Sequence, residues 1–205
     1  MGSLRREAAS QLWGTKDAWG MFPAVSLGWR LTKEPFMQKQ TLFNDIKIRA
    51  GYGVTGTQPS DLFKGVGLVG YDQYILSNGK WIRTLIPTQN ANPDLKWEEK
   101  KETDFGVDFS MLKNSESGTI DYYIRNIDGL LFDYAVPSPP NLYSTTRANV
   151  GKMSNKGLEV LINYTPFQTK DFEWTTGVSF STNTNKLVSL TNSIYTNSSD
   201  YFTTG

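Results

Sequence analysis

Residues 102–110 read ETDFGVDFS, and this stretch alternates polar and apolar positions along its whole length. Thr103, Phe105, Val107 and Phe109 fall on one side of an extended chain, while acidic and small residues fall on the other. Because successive side chains of a strand point to opposite faces, the pattern predicts a β-strand with one apolar and one polar face. An amphipathic helix would instead need apolar residues three or four positions apart.

Five further segments repeat this two-residue period. They are residues 24–31, 46–53, 119–125, 157–165 and 173–183. No segment of comparable length keeps the period of an amphipathic helix. We therefore predict an all-β protein in which six strands pair as one continuous antiparallel meander. Their apolar faces are expected to lie on the same, convex side of the sheet.

The connections between these strands alternate between short and long. The short turns are residues 111–118 and 166–172, and the long loops contain residues 55–97 and 134–156. Outer-membrane barrels join their strands in the same way, with short periplasmic turns and long extracellular loops. The rhythm favours part of a transmembrane β-barrel. A soluble β-sandwich that binds glycans is the alternative, since it also buries one face of each strand.

Aromatic residues stand near the ends of the predicted strands. They are Trp13, Trp19, Phe22, Trp29, Tyr52, Phe109, Tyr164 and Trp174. Ordinary core or edge packing explains such positions, and so do the aromatic girdles at the two interfaces of a membrane barrel. The pattern by itself leaves both interpretations open.

The composition excludes several classes of function. The 205 residues include no cysteine and no histidine, which argues against thiolate or zinc sites and against triad hydrolysis. A net charge of +1 provides no broad field for nucleic acid. A carboxylate-based glycoside hydrolase is the remaining enzymatic option, but no acidic pair stands out. We expect no catalytic residues, no metal, no cofactor and no enzymatic activity.

Three glycines, Gly51, Gly53 and Gly56, have the spacing of a dinucleotide-binding fingerprint, and Asp72 lies about 20 residues further on. That fingerprint needs a buried parallel strand before the glycines and a helix after them. Here the preceding segment alternates apolar and cationic residues, and further glycines interrupt the following one. We interpret Gly51 and Gly53 as small residues on a polar strand face that leave room for neighbouring side chains.

Four stretches of the sequence together resemble the SusC/RagA-type TonB-dependent receptors of the Bacteroidetes outer membrane. They are WGMFPAVSLGWRLTKEPFM (residues 19–37), IKIRAGYGVTGTQ (46–58), NPDLKWEEKKETDFGVDFSML with GTIDYYIRNIDGLLF (92–112 and 118–132), and NVGKMSNKGLEVLINYTP running into DFEWTTGVSFSTNTNKLVSL (149–166 and 171–190). The resemblance implies the C-terminal part of an outer-membrane barrel. It covers most of the chain and is weakest in residues 62–86 and after residue 190.

The resemblance also implies a function and partners. Such a receptor imports a large nutrient, an oligosaccharide in preference to a peptide, with a SusD-like surface lipoprotein as a lid. The TonB complex supplies the energy through a plug region. Residues 1–205 are expected to be a partial barrel without signal peptide or plug, embedded in outer-membrane lipid as part of a longer parent. By itself the chain is expected to show no transport and to need detergent.

Two sets of candidate site residues follow. On the polar, lumen-facing side, charged residues of both signs are expected mainly to pair across strands. They are Arg30, Arg49, Asp104, Asp108, Asp121, Arg125 and Glu159. We expect Lys47 or Arg49 near Asp104 or Asp108, and Asp108 near Asp121 or Arg125.

The second set lies in the long loop, where Asn78-Gly79 separates two apolar arms and predicts a β-hairpin. Tyr71, Tyr74 and Trp81 of these arms are candidates for stacking on sugar rings or for contact with the lid protein. The alternative is that they form a small core of the loop itself.

Overall fold

The computed structural model describes residues 1–112 and 115–190 of the chain. The described residues form nine strands and three short 3-10 turns. The strands are β1 (Gly2–Ala8), β2 (Trp19–Arg30), β3 (Phe43–Thr57), β4 (Val69–Ser77), β5 (Lys80–Pro87), β6 (Glu98–Met111), β7 (Glu116–Ala135), β8 (Thr145–Gln168) and β9 (Glu173–Ser189). The described part of the chain contains no helix with the length and hydrophobicity that a membrane crossing requires.

Seven of the strands form a single antiparallel sheet in the order β1-β2-β3-β6-β7-β8-β9, and β4 and β5 form a separate hairpin. Each of the six predicted strands lies within one strand of the large sheet, or overlaps it except for its last residue. The predicted all-β antiparallel meander is therefore confirmed, with the hairpin inserted between β3 and β6. The sheet is open, with β1 and β9 at its edges.

The register places the apolar residues of neighbouring strands directly opposite one another. One such row contains Trp29, Ile48, Val107, Ile120, Val160 and Phe180, and the next contains Leu27, Ala50, Phe105, Tyr122 and Leu158. Directly paired residues share a face, so the apolar residues form one band on one side of the sheet. A sandwich would cover this band with a second sheet, but the only other sheet in the described residues is the hairpin β4–β5, which makes few contacts with the large sheet.

The apolar band crosses the strands obliquely. On β2 it extends from Trp19 to Trp29, but on β9 it extends only from Trp174 to Phe180. The β9 residue in line with Val25 is already polar, so the band shifts toward the start of β9 as it crosses the sheet. Strands that tilt against a bilayer of fixed thickness produce this shift, and barrel strands tilt by roughly 35–45°.

The connections divide the sheet into two ends. At the turn end, strands are joined by residues 31–42, 112–115 and 169–172, and at the loop end by residues 9–18, 58–97 and 136–144. The two predicted short turns are confirmed, although residues 113–114 of the first lie outside the described residues. The predicted long loop over residues 134–156 is wrong, since β7 and β8 continue through most of it.

Two parts of the sheet were not predicted, for a common physical reason. In β1 only Leu4 and Ala8 are apolar, and the loop-end halves of β7 and β8 carry polar residues on both faces. Their backbone groups nevertheless pair with neighbouring strands over the full length of each element. Ladder hydrogen bonds do not depend on side-chain alternation, so a strand that is not half-buried leaves no period-two signal.

A small hydrophobic core lies at the loop end of the sheet. It consists of Ala9, Leu12, Phe22, Val54, Leu95 and Trp97. Leu12 and Leu95 have no solvent-exposed surface. The Trp97 ring meets the Phe22 ring edge-on at 5.3 Å between centroids, and its indole N–H donates to the carbonyl of Ala18 at 3.2 Å. These contacts fix residues 9–18 and the end of the long loop to the sheet.

Candidate functional site

A segment at the end of the long loop, residues 89–97, runs beside the start of β8 and is called here the strap. Asn90 begins the attachment. Its side-chain amide donates to the carbonyls of Tyr143 and Thr145 at 2.7 and 2.9 Å, and its carbonyl oxygen accepts from the Tyr143 backbone N–H at 3.0 Å. An asparagine amide has one acceptor and two donors, so Asn90 supplies the pairing that a neighbouring backbone would provide.

Two more asparagines continue the attachment. Asn92, which is buried, donates to the Arg147 carbonyl at 2.7 Å. Asn149 of β8 accepts from the Lys96 backbone N–H at 2.9 Å and donates to the Lys96 carbonyl at 3.0 Å. The strap is therefore tied to β8 by side-chain amides along its length, which positions the loop end without extending the sheet.

We predict that Asn92→Ala loosens the strap by about 1–2 kcal/mol, because the part-buried hydrogen bond from Asn92 to the Arg147 carbonyl is lost. Hydrogen exchange of backbone amides in residues 89–97 of the intact receptor is the measurement, and exchange should accelerate roughly 5- to 30-fold. Asn185→Ala, at an exposed position on β9, is the matched control and should leave the strap unchanged. Equal exchange in both variants would contradict the assigned role.

The strap and the ends of β7 and β8 enclose a cleft of ≈ 200 Å³. It is lined by Lys64, Thr88, Gln89, Asn90, Asp133, Tyr143, Thr145, Thr146 and Arg147. Arg147 lies 3.3 Å from the Asp133 carboxylate, and among the described residues its buried Nε has no hydrogen-bond partner. A lining of amides, hydroxyls and an Arg–Asp pair offers both donors and acceptors, which suits a ligand rich in hydroxyl groups.

The predicted hairpin is present as β4 and β5. Asn78 and Gly79 form its turn with φ values of 51° and 73°, the left-handed conformation that two-residue hairpin turns of this type require. Its residues make few contacts with the large sheet, so it projects from the loop end. The hairpin is therefore held mainly by its own cross-strand pairing.

The three candidate aromatic residues lie on this hairpin and remain exposed. Tyr71, Tyr74 and Trp81 keep 68%, 59% and 68% of their surface accessible. Arg83 lies over both tyrosine rings, at 4.9 and 5.8 Å from their centroids. The buried core of the loop end is built by other residues, foremost Leu95 and Trp97. A contact role for the three aromatic residues remains a prediction.

On the polar face, Arg49 connects two acidic residues from two different strands. Its guanidinium binds both oxygens of Asp108 at 2.8 and 2.9 Å and one oxygen of Asp121 at 2.8 Å. Each side chain is about one-third exposed. Lys47 lies directly opposite Asp108, but Arg49 takes this carboxylate along the diagonal. The planar fork of arginine can hold two carboxylates at once, which a lysine ammonium does less well.

Gly106 allows this triad to form. Arg49, Gly106 and Asp121 are direct partners in the register, so Gly106 lies between the two charged residues. A Cβ atom at Gly106 would lie 2.4 Å from the Asp121 carboxylate and 2.8 Å from the Arg49 Cζ. Gly51 likewise lies beneath Asp104, with its would-be Cβ 2.5 Å from that carboxylate. Gly51 thus leaves room for a neighbouring side chain.

The remaining candidate residues of the polar face lie at separate places. Arg125 forms a bidentate pair with Glu102 at 2.8 and 2.9 Å. Arg30 lies 3.4 Å from Asp45, and Glu159 is directly opposite Asp121 in the register. Their spacing gives a charged surface rather than a single pocket. That these residues serve mainly as structural cross-strand pairs in the lumen wall remains a prediction.

Some of these contacts were not predicted from the sequence. Glu102 shares the parity of Asp104 and therefore lies on the polar face, but nothing in the sequence singles out its pairing with Arg125. The strap asparagines carry no periodic signal, because they act on backbone groups more than 50 residues away. Only the motif NPDLKWE, which contains Asn92 and Leu95, marks this segment in the sequence.

The family model described as "TonB dependent receptor-like, beta-barrel" matches residues 1–205. The chain is 35% identical over 188 residues to TonB-dependent receptor P39 of Formosa agariphila, covering 92% of the chain and 18% of that protein. It is 32% identical over 209 residues to TonB-dependent receptor SusC of Bacteroides thetaiotaomicron, covering 98% of the chain and 20% of SusC.

A solved structure shares the fold. The chain superposes on the RagAB peptide importer in its closed-closed state with a TM-score of 0.80 and 24% identity. The alignment covers 94% of the chain and 20% of that structure's chain. The chain thus spans about a fifth of the length of the curated relatives and solved structures that it matches.

Proposed function

The chain belongs to the TonB-dependent receptor-like β-barrel family of the outer membrane, and we propose that it forms part of the barrel wall of a nutrient importer. The observation that carries the proposal is the contrast between the two faces of the sheet. One face is a continuous apolar band, and the other carries the Arg49 and Arg125 ion pairs. The apolar face contacts lipid and the charged face lines the lumen. The family consists of receptors and transporters rather than enzymes.

The proposed substrate is an oligosaccharide in preference to a peptide. The cleft beside the strap supports this choice, since its lining combines an Arg–Asp pair with amides and hydroxyls. The TonB complex would supply the energy for import through the plug region of the full receptor.

The orientation of the two faces is tested by spin labelling, and the absence of cysteine makes single-cysteine variants straightforward. Labels at Leu27→Cys and Val107→Cys of the reconstituted receptor are expected to collide with dissolved oxygen, which concentrates in lipid. Labels at Ser26→Cys and Ser181→Cys are expected to collide with a water-soluble nickel complex. An accessibility pattern without this alternation would overturn the barrel-wall assignment.

We further propose that a SusD-like lipoprotein contacts the hairpin β4–β5 when it closes over the loop end. A two-stranded hairpin is only marginally stable by itself, and this one exposes apolar side chains on both faces. Trp81, Tyr74 and Ile82 are examples of such exposed residues. A lid that covers them would bury apolar surface and hold the hairpin in place.

The double substitution Tyr74→Ala/Trp81→Ala is expected to weaken co-purification of the lipoprotein with the receptor by at least about tenfold, since exposed aromatic anchors dominate many interfaces. Quantitative pull-down from membranes is the measurement. Phe36→Ala, an exposed aromatic position at the turn end, serves as control. Unchanged pull-down by the double variant, with sugar uptake reduced, would assign the hairpin to the substrate instead of the lid.

A further inference from the structure

Four lysines lie on the same face of the sheet as the apolar band, between the band and the loop end. They are Lys101 of β6, Lys152 and Lys156 of β8, and Lys186 of β9, and we call them the lysine patch. Lys156 comes two residues before Leu158, which is the residue of the apolar band on β8 that lies nearest the loop end. Because side chains two apart share a face, Lys156 lies at the boundary of the band.

The register brings three of these lysines together. Lys186 is directly opposite Ser154, and Ser154 lies between Lys152 and Lys156 on the same face of β8. Residues two apart on a strand are separated by roughly 7 Å, and diagonal cross-strand neighbours by roughly 7–8 Å. Three ammonium groups on flexible stems can therefore converge on one small anion from adjoining positions.

The nearby carboxylates do not neutralise the patch. Asp128 lies 3.3 Å from Lys101 and 3.7 Å from Lys152, and Glu99 lies 3.4 Å from Lys101. These two acids face four lysines. Within residues 1–112 and 115–190, neither Lys156 nor Lys186 forms an ion pair, and both side chains are exposed. The patch thus carries excess positive charge on the side nearest β9.

We propose that Lys156 and Lys186, assisted by Lys152, bind the phosphate group of a lipid head group in the outer leaflet. The inference rests on the proposed barrel function, in which the apolar band lies in the bilayer and the loop end is extracellular. Lysine stems can lie along the edge of the apolar band while their ammonium groups reach the head groups. A lysine near an anionic membrane surface contributes roughly fivefold to binding, so two contribute roughly 30-fold.

The test uses the intact receptor in nanodiscs of zwitterionic lipid that contain a phosphorylated outer-membrane glycolipid as the probe. Retention of the glycolipid is measured by native mass spectrometry for the wild type, Lys156→Gln/Lys186→Gln and Lys156→Arg/Lys186→Arg. The glutamine variant is expected to retain roughly 30-fold less glycolipid, and the arginine variant is expected to retain it as the wild type does. Lys47→Gln/Lys170→Gln removes the same charge away from the patch and should retain the lipid.

The outcomes distinguish lipid-bound phosphate from free phosphate. They also distinguish failure of the lysine proposal from failure of the proposed barrel function. Enzymatically dephosphorylated glycolipid should not be retained, and millimolar inorganic phosphate should not displace the intact lipid. Equal retention by the glutamine variant and its control, or equal retention of the dephosphorylated lipid, would overturn the proposal. The heat-dependent shift of the folded barrel in gel electrophoresis is recorded for every variant. If the wild-type receptor shows no such shift, the barrel function itself is contradicted.

Discussion

Trp97→Ala in the intact receptor is expected to destabilise the loop end by about 3–5 kcal/mol, the usual range for truncating a buried aromatic residue. The variant loses the edge-on contact with Phe22 and the hydrogen bond to the Ala18 carbonyl, and it opens a cavity beside Leu95 and Leu12. Amide hydrogen exchange in residues 9–12 and 92–97 should accelerate by roughly two to four orders of magnitude. The sheet at the turn end should keep its protection.

Trp81→Ala is the matched control, because it removes the same side chain from the same long loop. Trp81 keeps 68% of its surface exposed, whereas Trp97 keeps 7%. A change within about 0.5 kcal/mol is therefore expected for Trp81→Ala. Similar destabilisation by both substitutions would show that the hairpin is part of the loop-end core, contrary to the structure.

Arg49→Ala is expected to lower the free energy of unfolding of the receptor by about 2–3 kcal/mol, less than for a fully buried pair because the groups are about one-third exposed. Two carboxylates on neighbouring strands, Asp108 of β6 and Asp121 of β7, would then lie on the diagonal from each other without the guanidinium that holds them. Urea-induced unfolding of the receptor in detergent micelles, followed by tryptophan fluorescence, is the measurement.

Two further variants make the Arg49 result specific. Lys47→Ala removes a cation from the same face and strand without breaking the triad, and its effect should be below about 0.5 kcal/mol. Adding Asp121→Asn to Arg49→Ala removes one of the stranded charges and should restore part of the lost stability. If Arg49→Ala and Lys47→Ala prove equally mild, the triad contributes nothing beyond ordinary surface pairing.

The alternation of side chains was enough to predict the large sheet. A strand with one face in lipid and one in water must repeat every two residues, so six of its seven strands could be found from segments such as residues 102–110. The local sequence also predicts the position of the hairpin turn, because Asn78 and Gly79 can adopt the left-handed backbone that the turn requires. The resemblance of NPDLKWE and the other stretches then supplied the family.

The charge pairs could be predicted only in part. Antiparallel order predicts Lys47 or Arg49 near Asp104 or Asp108, and the structure realises this as Arg49 with Asp108. That Arg49 would also hold Asp121 depends on the register across three strands and on the space above Gly106. A shift of one residue in either strand would move one of these side chains to the other face.

The sequence by itself therefore determined the two faces of the sheet, because they follow from the two-residue repeat of an extended chain. Only the tertiary structure decided how the loop end is assembled. The strap is held by Asn90, Asn92 and Asn149 through backbone groups distant in sequence, and the core around Leu95 joins four separate segments. Such contacts depend on the three-dimensional path of the chain, which no local repeat encodes.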